Sequence, residues 1–273
     1  MNDVVRFAPH LYQGTAGYYD RFRLPYPDAM IDELLRQAAP SGDGCLLDLA
    51  CGTGQLAFPL GDRFADVWAV DAEADMTQVV RAKAIAAHAD HVRTVTVSAE
   101  DLRAEPGSFE LIVIGNAFHR LRRTVIAERA HAWLKPGGCL ALCWSTSPWA
   151  GPSEWQHALA GLLRTWQEAL GVTSRVPPGW EQARQQDPDH EVLSRAGFAS
   201  VERHKFAVEH RWTIDELAGH IRSTSFLSSS ALGDHAAEFD AALSAALSPY
   251  AGDGRHTDPA GFAYELARRP GPA

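Results

Sequence analysis

The sequence predicts an α/β protein built on a seven-stranded, mostly parallel sheet with helices on both faces. Three observations predict it. Short apolar runs of strand length recur at 45–49, 67–70, 92–97, 111–114 and 139–144, and runs this apolar suit strands covered on both faces. Helical patterns fill most of the gaps, at 54–63, 73–88 and 122–134, and strands alternating with helices imply crossovers between parallel neighbours. The rhythm resumes late, with a helix over 188–196, a strand over 199–210 and a last strand over 262–267.

Residues 1–26 read as irregular and aromatic-rich, with Phe7, Tyr12, Tyr18, Tyr19, Phe22 and Tyr26. Pro27 and Asp28 open a helix over 27–38 whose apolar stripe is Met30, Ile31, Leu34 and Leu35. Lys135-Pro136-Gly137-Gly138 reads as a turn before the fifth strand. Beyond Trp144 the pattern changes. Ser153 and Gln156 have capping-box spacing and open a helix, and Pro177, Pro178 and Gly179 mark a loop. Thr213 and Glu216 form a second box, with Trp212 and Leu217 spaced as a hydrophobic staple, for a helix reaching 222. An Ala/Leu-rich helix follows over 234–248. The expected organisation is one domain over 1–273, with an N-terminal lid segment at 1–38 and a helical cap insertion at 145–186.

Lys and Arg number 25 against 34 Asp and Glu, a net charge of −9, so a nucleic-acid backbone is not the expected partner. Charges at Asp3, Arg6, Asp20, Arg21 and Arg23 interrupt the first 25 residues, and no apolar stretch reaches the roughly 20 residues that span a bilayer. A cytoplasmic protein without a membrane partner is expected. Cys45, Cys51, Cys139 and Cys143 form no CxxC pair and read as buried free thiols. His88 and His91 lack metal-site spacing, so no metal is expected. No G-x-S-x-G elbow supports hydrolase chemistry.

The chemistry concentrates in Leu46-Leu47-Asp48-Leu49-Ala50-Cys51-Gly52-Thr53-Gly54-Gln55. A buried strand runs into a glycine turn, where backbone can approach a ligand at the carboxyl end of the sheet. The stretch Gly52–Ala57 also fits the dinucleotide pattern G-x-G-x-x-G/A, and Asp71 closes the second strand as a ribose-binding acid would. A nicotinamide-dependent oxidoreductase therefore stays open. Two features favour another adenosyl ligand. Asp48 beside the turn would repel a pyrophosphate but pair with an ammonium, and the acidic stretch Ser98-Ala99-Glu100-Asp101-Leu102 after strand three suits an adenine amino group.

Taken together, Asp48–Gly54, Asp71, Ala99-Glu100-Asp101, Asn116-Ala117-Phe118-His119 and Leu134–Gly138 resemble a class I S-adenosylmethionine-dependent methyltransferase of the small-molecule, type 11-like kind. The segment Tyr18–Pro27 resembles the entry segment of related enzymes. The resemblance covers residues 1–145 with specific motifs and the remainder by architecture. It implies a Rossmann-like fold with an antiparallel last strand, and S-adenosyl-L-methionine as cofactor. It implies that Gly52 and Gly54 approach the methionine part and ribose, Asp48 lies near the amino group, and Asp71 binds the ribose. Ala99, Glu100 and Asp101 would flank the adenine and Asn116 the methionine end, with Ala50, Ala72 and Met76 completing the cofactor wall. Tyr19 and Arg23 would close over the cofactor carboxylate. The run Arg120-Leu121-Arg122-Arg123 departs from relatives, so no relative's substrate carries over.

The reaction so implied is methyl transfer to a small organic acceptor at O, N or C, with secondary metabolism as one setting. It proceeds by in-line displacement, which a protein promotes by proximity and orientation. His119 is the candidate general base, its unperturbed pKa near 6.5 suiting that work. Tyr26 and Trp149 are the candidate substrate contacts, while Trp166 reads as packing. Arg120, Arg122, Arg123 and Arg129 read mainly as a solvated face, with binding of an anionic substrate group as the lesser reading. A methyltransferase-fold protein with cyclase or binding activity is a further alternative, because fold does not fix chemistry. The sequence leaves the oligomeric state open.

Overall fold

A computed structural model describes residues 10–172 and 179–271. Its seven strands are β1 (Cys45–Leu49), β2 (Asp66–Asp71), β3 (Val92–Thr96), β4 (Phe109–Gly115), β5 (Leu134–Ser145), β6 (Ser200–Trp212) and β7 (His256–Arg268). They form one sheet in the order β3-β2-β1-β4-β5-β7-β6. The five N-terminal strands are parallel, and β7 runs antiparallel to both β5 and β6. Strand order reverses between β1 and β4, and a crevice opens at their carboxyl ends, the usual place for a ligand in an open α/β sheet.

The helices are α1 (Ala16–Phe22), α2 (Asp28–Ala38), α3 (Ala57–Gly61), α4 (Ala74–Ala86), α5 (Arg123–Trp133), α6 (Glu154–Ala169), α7 (Trp180–Gln186), α8 (Asp189–Arg195), α9 (Ile214–Arg222), α10 (Ser229–Leu232) and α11 (Ala236–Leu247). Strand residues alternate between two layers. Leu46, Val67, Val113 and Ala141 pack with Met30, Leu34 and Leu60 on one face, while Leu47, Val70, Ile112 and Leu140 pack with Ile126, Ala130 and Trp133 on the other. Period-two alternation with both faces covered explains why these runs are apolar throughout. A third cluster lies off the sheet: Trp155, Leu159 and Leu163 of α6 pack with Leu217 and Ile221 of α9 and Phe239 and Leu243 of α11. Both capping boxes form, at Ser153/Gln156 and Thr213/Glu216, and the staple partners Trp212 and Leu217 share this cluster.

Several elements differ from the expectations. The segment before 27 is not all irregular, because it contains α1, whose Asp20 pairs with Lys83 of α4 at 2.8 Å. The helix expected from 54 begins only at Ala57, since turn geometry occupies 52–56 with Gly52 and Gly54 at positive φ. The Lys135–Gly138 turn lies inside β5: Phe109 pairs with Leu134 and Leu111 with Cys139, so these residues bulge out of the ladder with Gly137 at φ 82°. Strand β7 starts at His256, earlier than expected, and carries Pro259. Its pairing with β5 begins only at Phe262, so the proline's missing N–H removes no bond on that side. Helices α7 and α10 were not expected. The Pro177-Pro178 loop and Phe7 lie outside the described residues. No described helix is long and apolar enough to cross a membrane, and all four cysteines are free.

Candidate functional site

Two chambers meet above the carboxyl ends of β1 and β4. The first, of about 560 Å³, is walled by Ala50 and Gly52 after β1, Asp71, Ala72, Glu73 and Met76 around the end of β2, Ser98 and Glu100 after β3, and Asn116 after β4. The second, of about 460 Å³, is lined by His119 and Arg120, the segment Trp144–Ser147 with Trp149, and Trp180 and Arg184 of α7. Tyr12, Tyr19, Asn116, Ala117 and Arg120 border both. A bar of stacked groups separates them: the Arg120 guanidinium lies 4.8 Å from the Tyr12 ring, Tyr12 meets Tyr19 edge-on at 6.2 Å, and Arg23 lies 4.9 Å from the Tyr19 ring.

Backbone geometry is unusual at the crevice lip. Ala50 (φ 59°), Gly52 (φ 53°) and Asn116 (φ 51°) are left-handed. For the two non-glycines this costs on the order of 1–2 kcal/mol each, and such strain concentrates at functional sites. The Asn116 amide then locks β4 to β5: Nδ2 donates to Ser145 Oγ at 3.2 Å and to Tyr26 Oη at 3.4 Å, and Oδ1 accepts from Ser145 N at 3.1 Å.

Asp71 accepts the Gly52 N–H at 2.8 Å and the Glu73 N–H at 2.9 Å, so it shapes the glycine turn as well as facing the first chamber. Burial raises its pKa, with the two N–H bonds opposing. Asp48 is 1% exposed and accepts the Ala57 N–H at 2.9 Å. Burial pushes its pKa up to about 7. Burial lowers His119 to about 3, helped by Arg120 and Arg184, so its imidazole is neutral at ordinary pH. Its Nε2 accepts from Arg120 Nε at 3.2 Å, and its ring lies 5.5 Å from that of Trp180.

Of the sequence-predicted residues, Tyr19, Ala50, Gly52, Asp71, Ala72, Met76, Glu100 and Asn116 come together around the first chamber. Asp48 lies beneath it, against a small gap shared with Ala50 and Gly115. Gly54 is used for packing rather than for the chamber wall: a Cβ there would stand 2.8 Å from Phe58. Ala99 is buried in the core, and Asp101 turns away to Ser98 Oγ at 2.7 Å. Arg23, His119 and Trp149 line the second chamber. Tyr26 lines neither large chamber and supports Asn116 from behind. The arginine cluster is dispersed: Arg120 and Arg122 reach the first chamber, Arg123 pairs with Asp189, and Arg129 bonds the Glu100 carbonyl.

Sequence reasoning missed Tyr12, Glu73 and Arg184 as chamber residues. Glu73, two positions past Asp71, was within reach of a motif argument. Tyr12 arrives only because the chain folds back, Gly14 N donating to Asp75 Oδ2 at 2.8 Å, which no local pattern announces. Among the described residues no His/Cys/Asp/Glu group could hold a metal ion.

Asp71, Glu73 and Glu100 present carboxylates in the first chamber, able to accept from hydroxyl or amino groups, beside the guanidiniums of Arg120 and Arg122. A family model for a methyltransferase domain matches residues 46–138. The chain is 33% identical over 137 residues to an uncharacterised methyltransferase of Mycobacterium bovis, an alignment covering 50% of this chain and 52% of that protein. It thus spans about half the length of that relative. It is 32% identical over 181 residues to the demethylmenaquinone methyltransferase of Clavibacter sepedonicus, covering 61% of this chain and 70% of the relative. The fold is also that of phosphoethanolamine N-methyltransferase 2 of Haemonchus contortus, solved with phosphomonomethylethanolamine and S-adenosylhomocysteine. That likeness has a TM-score of 0.56 at 17% identity, covering 94% of this chain and 57% of that one.

Proposed function

Because the chain belongs to the class I S-adenosylmethionine-dependent methyltransferases, we propose that it transfers a methyl group from S-adenosylmethionine to a small organic acceptor at oxygen, nitrogen or carbon. The observation that carries this reading is the pair of chambers that share Tyr19 and Asn116, one presenting three carboxylates and one rich in aromatic rings. The cofactor, when bound, supplies a methyl group activated by a sulfonium. Asp71 would accept from the ribose hydroxyls, for its two oxygens have lone pairs beyond those engaged by Gly52 and Glu73. Glu100 would face the adenine, and Met76 and Ala72 would pack against it. Gly52 gives the methionine end its close approach, and the buried Asp48 lies below as a counter-charge for its ammonium. Arg23, bonded to Ser223 Oγ at 2.8 Å, would hold the cofactor carboxylate across Tyr19.

The N-terminal segment and the α6–α9–α11 cluster act as the cover that excludes water and sets the acceptor in line. Trp149, held edge-on by His220 at 5.8 Å and Phe226 at 5.6 Å, provides an acceptor wall. His119 contacts the acceptor as a neutral imidazole. To take a proton it would have to give up the bond from Arg120, so it orients the acceptor rather than deprotonating it. The test is incubation with methyl-labelled S-adenosylmethionine and a metabolite extract of the source organism, with mass detection. A labelled product that disappears in Asn116→Ala supports the reading. Tight S-adenosylhomocysteine binding with no labelled product would instead favour the cyclase or binding alternative.

A further inference from the structure

The second chamber has a charge pattern opposed to that of the chain as a whole. The chain carries −9, yet four guanidiniums, Arg23, Arg120, Arg184 and Arg203, line this chamber beside one carboxylate, Asp189. That carboxylate is already shared: Oδ1 accepts from Arg123 at 2.8 Å, and Oδ2 accepts from Arg184 Nη2 at 2.7 Å and Nε at 3.2 Å. Glu265 holds Arg203 by Nε, at 2.9 Å, and by Nη2, and the guanidinium lies 5.2 Å from the Trp144 ring. Anchoring by one edge fixes each guanidinium. It leaves Nη1 of Arg184 and of Arg203 with no protein acceptor among the described residues. Among the described residues Arg23 hydrogen-bonds the neutral hydroxyl and carbonyl of Ser223.

Neighbouring imidazoles feel these guanidiniums. After burial, the largest cause lowering His119 is Arg120, followed by Arg184, and for His220 it is Arg23. The rest of the wall includes flat rings: Trp144, Trp149, Trp180 and Phe226. An aromatic slot that ends on guanidinium N–H donors suits a flat anion, because charge-assisted hydrogen bonds are stronger than neutral ones.

Building on the methyl-transfer reading, we propose that the acceptor is a planar aromatic anion. Its ring lies among Trp144, Trp149 and Trp180, and its carboxylate or phosphate group is met by Nη1 of Arg184 and Arg203.

The experiment is calorimetry on the full chain with 2-naphthoate, 2-naphthyl phosphate and the neutral 2-naphthalenemethanol, each with and without saturating S-adenosylhomocysteine. At least one anion is expected to bind tenfold or more tighter than the neutral probe, and the two anionic arms tell carboxylate from phosphate. Arg184→Gln should remove most of that preference without weakening the neutral probe or S-adenosylhomocysteine. Asp189 keeps Arg123 in that variant, and an unchanged melting temperature verifies the fold. Equal binding of all three probes, no binding of any, or a preference that survives Arg184→Gln would overturn the proposal and leave methyl transfer standing. Anion preference without S-adenosylhomocysteine binding would count against the cofactor reading alone.

Discussion

Replacing Asp48 by Asn tests how the crevice is built. Asp48 is 1% exposed, its pKa is raised by burial to about 7, and it accepts the Ala57 N–H. In an unfolded chain an aspartate titrates near 3.9. Between these values the folded protein keeps a proton that the unfolded chain releases. Stability is therefore greatest below about pH 4, falls as pH rises toward 7, and is flat beyond. From pH 5 to pH 8 the chain crosses about two units of that window, or about 2.7 kcal/mol at 1.36 kcal/mol per unit. Asn can still accept from Ala57 and does not titrate. Urea unfolding of both proteins at pH 5 and pH 8 should show the difference moving by about 2–3 kcal/mol in favour of Asn at the higher pH. A difference constant across that range would refute the claim that Asp48 is a buried, proton-holding carboxylate. The same variant should weaken S-adenosylhomocysteine binding above pH 7, where the ionised carboxylate would otherwise meet the ligand's ammonium.

Arg23→Gln should weaken S-adenosylhomocysteine about tenfold, roughly 1.4 kcal/mol, while leaving adenosine binding unchanged; equal losses for both ligands in calorimetry would remove Arg23 from the carboxylate. Gly54→Ala combines a left-handed backbone (φ 82°) with a Cβ 2.8 Å from Phe58, and should lose about 2–4 kcal/mol in denaturant unfolding. Gly107→Ala, at φ 73° with nothing within 4 Å, should lose only about 1–2 kcal/mol, and a comparable loss at both sites would show that the Phe58 contact matters little. Thr213→Ala removes the side chain that accepts from Glu216 N at 3.2 Å and should cost about 1 kcal/mol of thermal stability; an unchanged melting temperature would mean that the box does not hold α9.

The five parallel strands were legible because both-face burial makes each an unbroken apolar run, and Asp48, Gly52 and Asp71 because their spacing along β1 and β2 is local. The bulge at Lys135–Gly138 was not, since Pro-Gly-Gly reads as a turn whether or not the ladder resumes on both sides of it. The early start of β7 was hidden by Pro259, which is tolerated only because β5 ends opposite Phe262. The second chamber was the least legible. Its wall joins Tyr12, His119, Trp149, Trp180 and Thr224, brought together by tertiary packing alone. Gly54 shows the opposite failure: a motif glycine read as a ligand contact is fixed by the Phe58 ring.

The central claim is that the first chamber, at the ends of β1, β2 and β4, holds an adenosyl-sulfur compound. Parallel calorimetric titrations of the full chain with S-adenosylhomocysteine and with oxidised and reduced nicotinamide dinucleotides test it most directly. The account predicts one S-adenosylhomocysteine bound per chain, weakened by Asp71→Ala, and no dinucleotide heat. Dinucleotide binding at that site with no S-adenosylhomocysteine heat would contradict it.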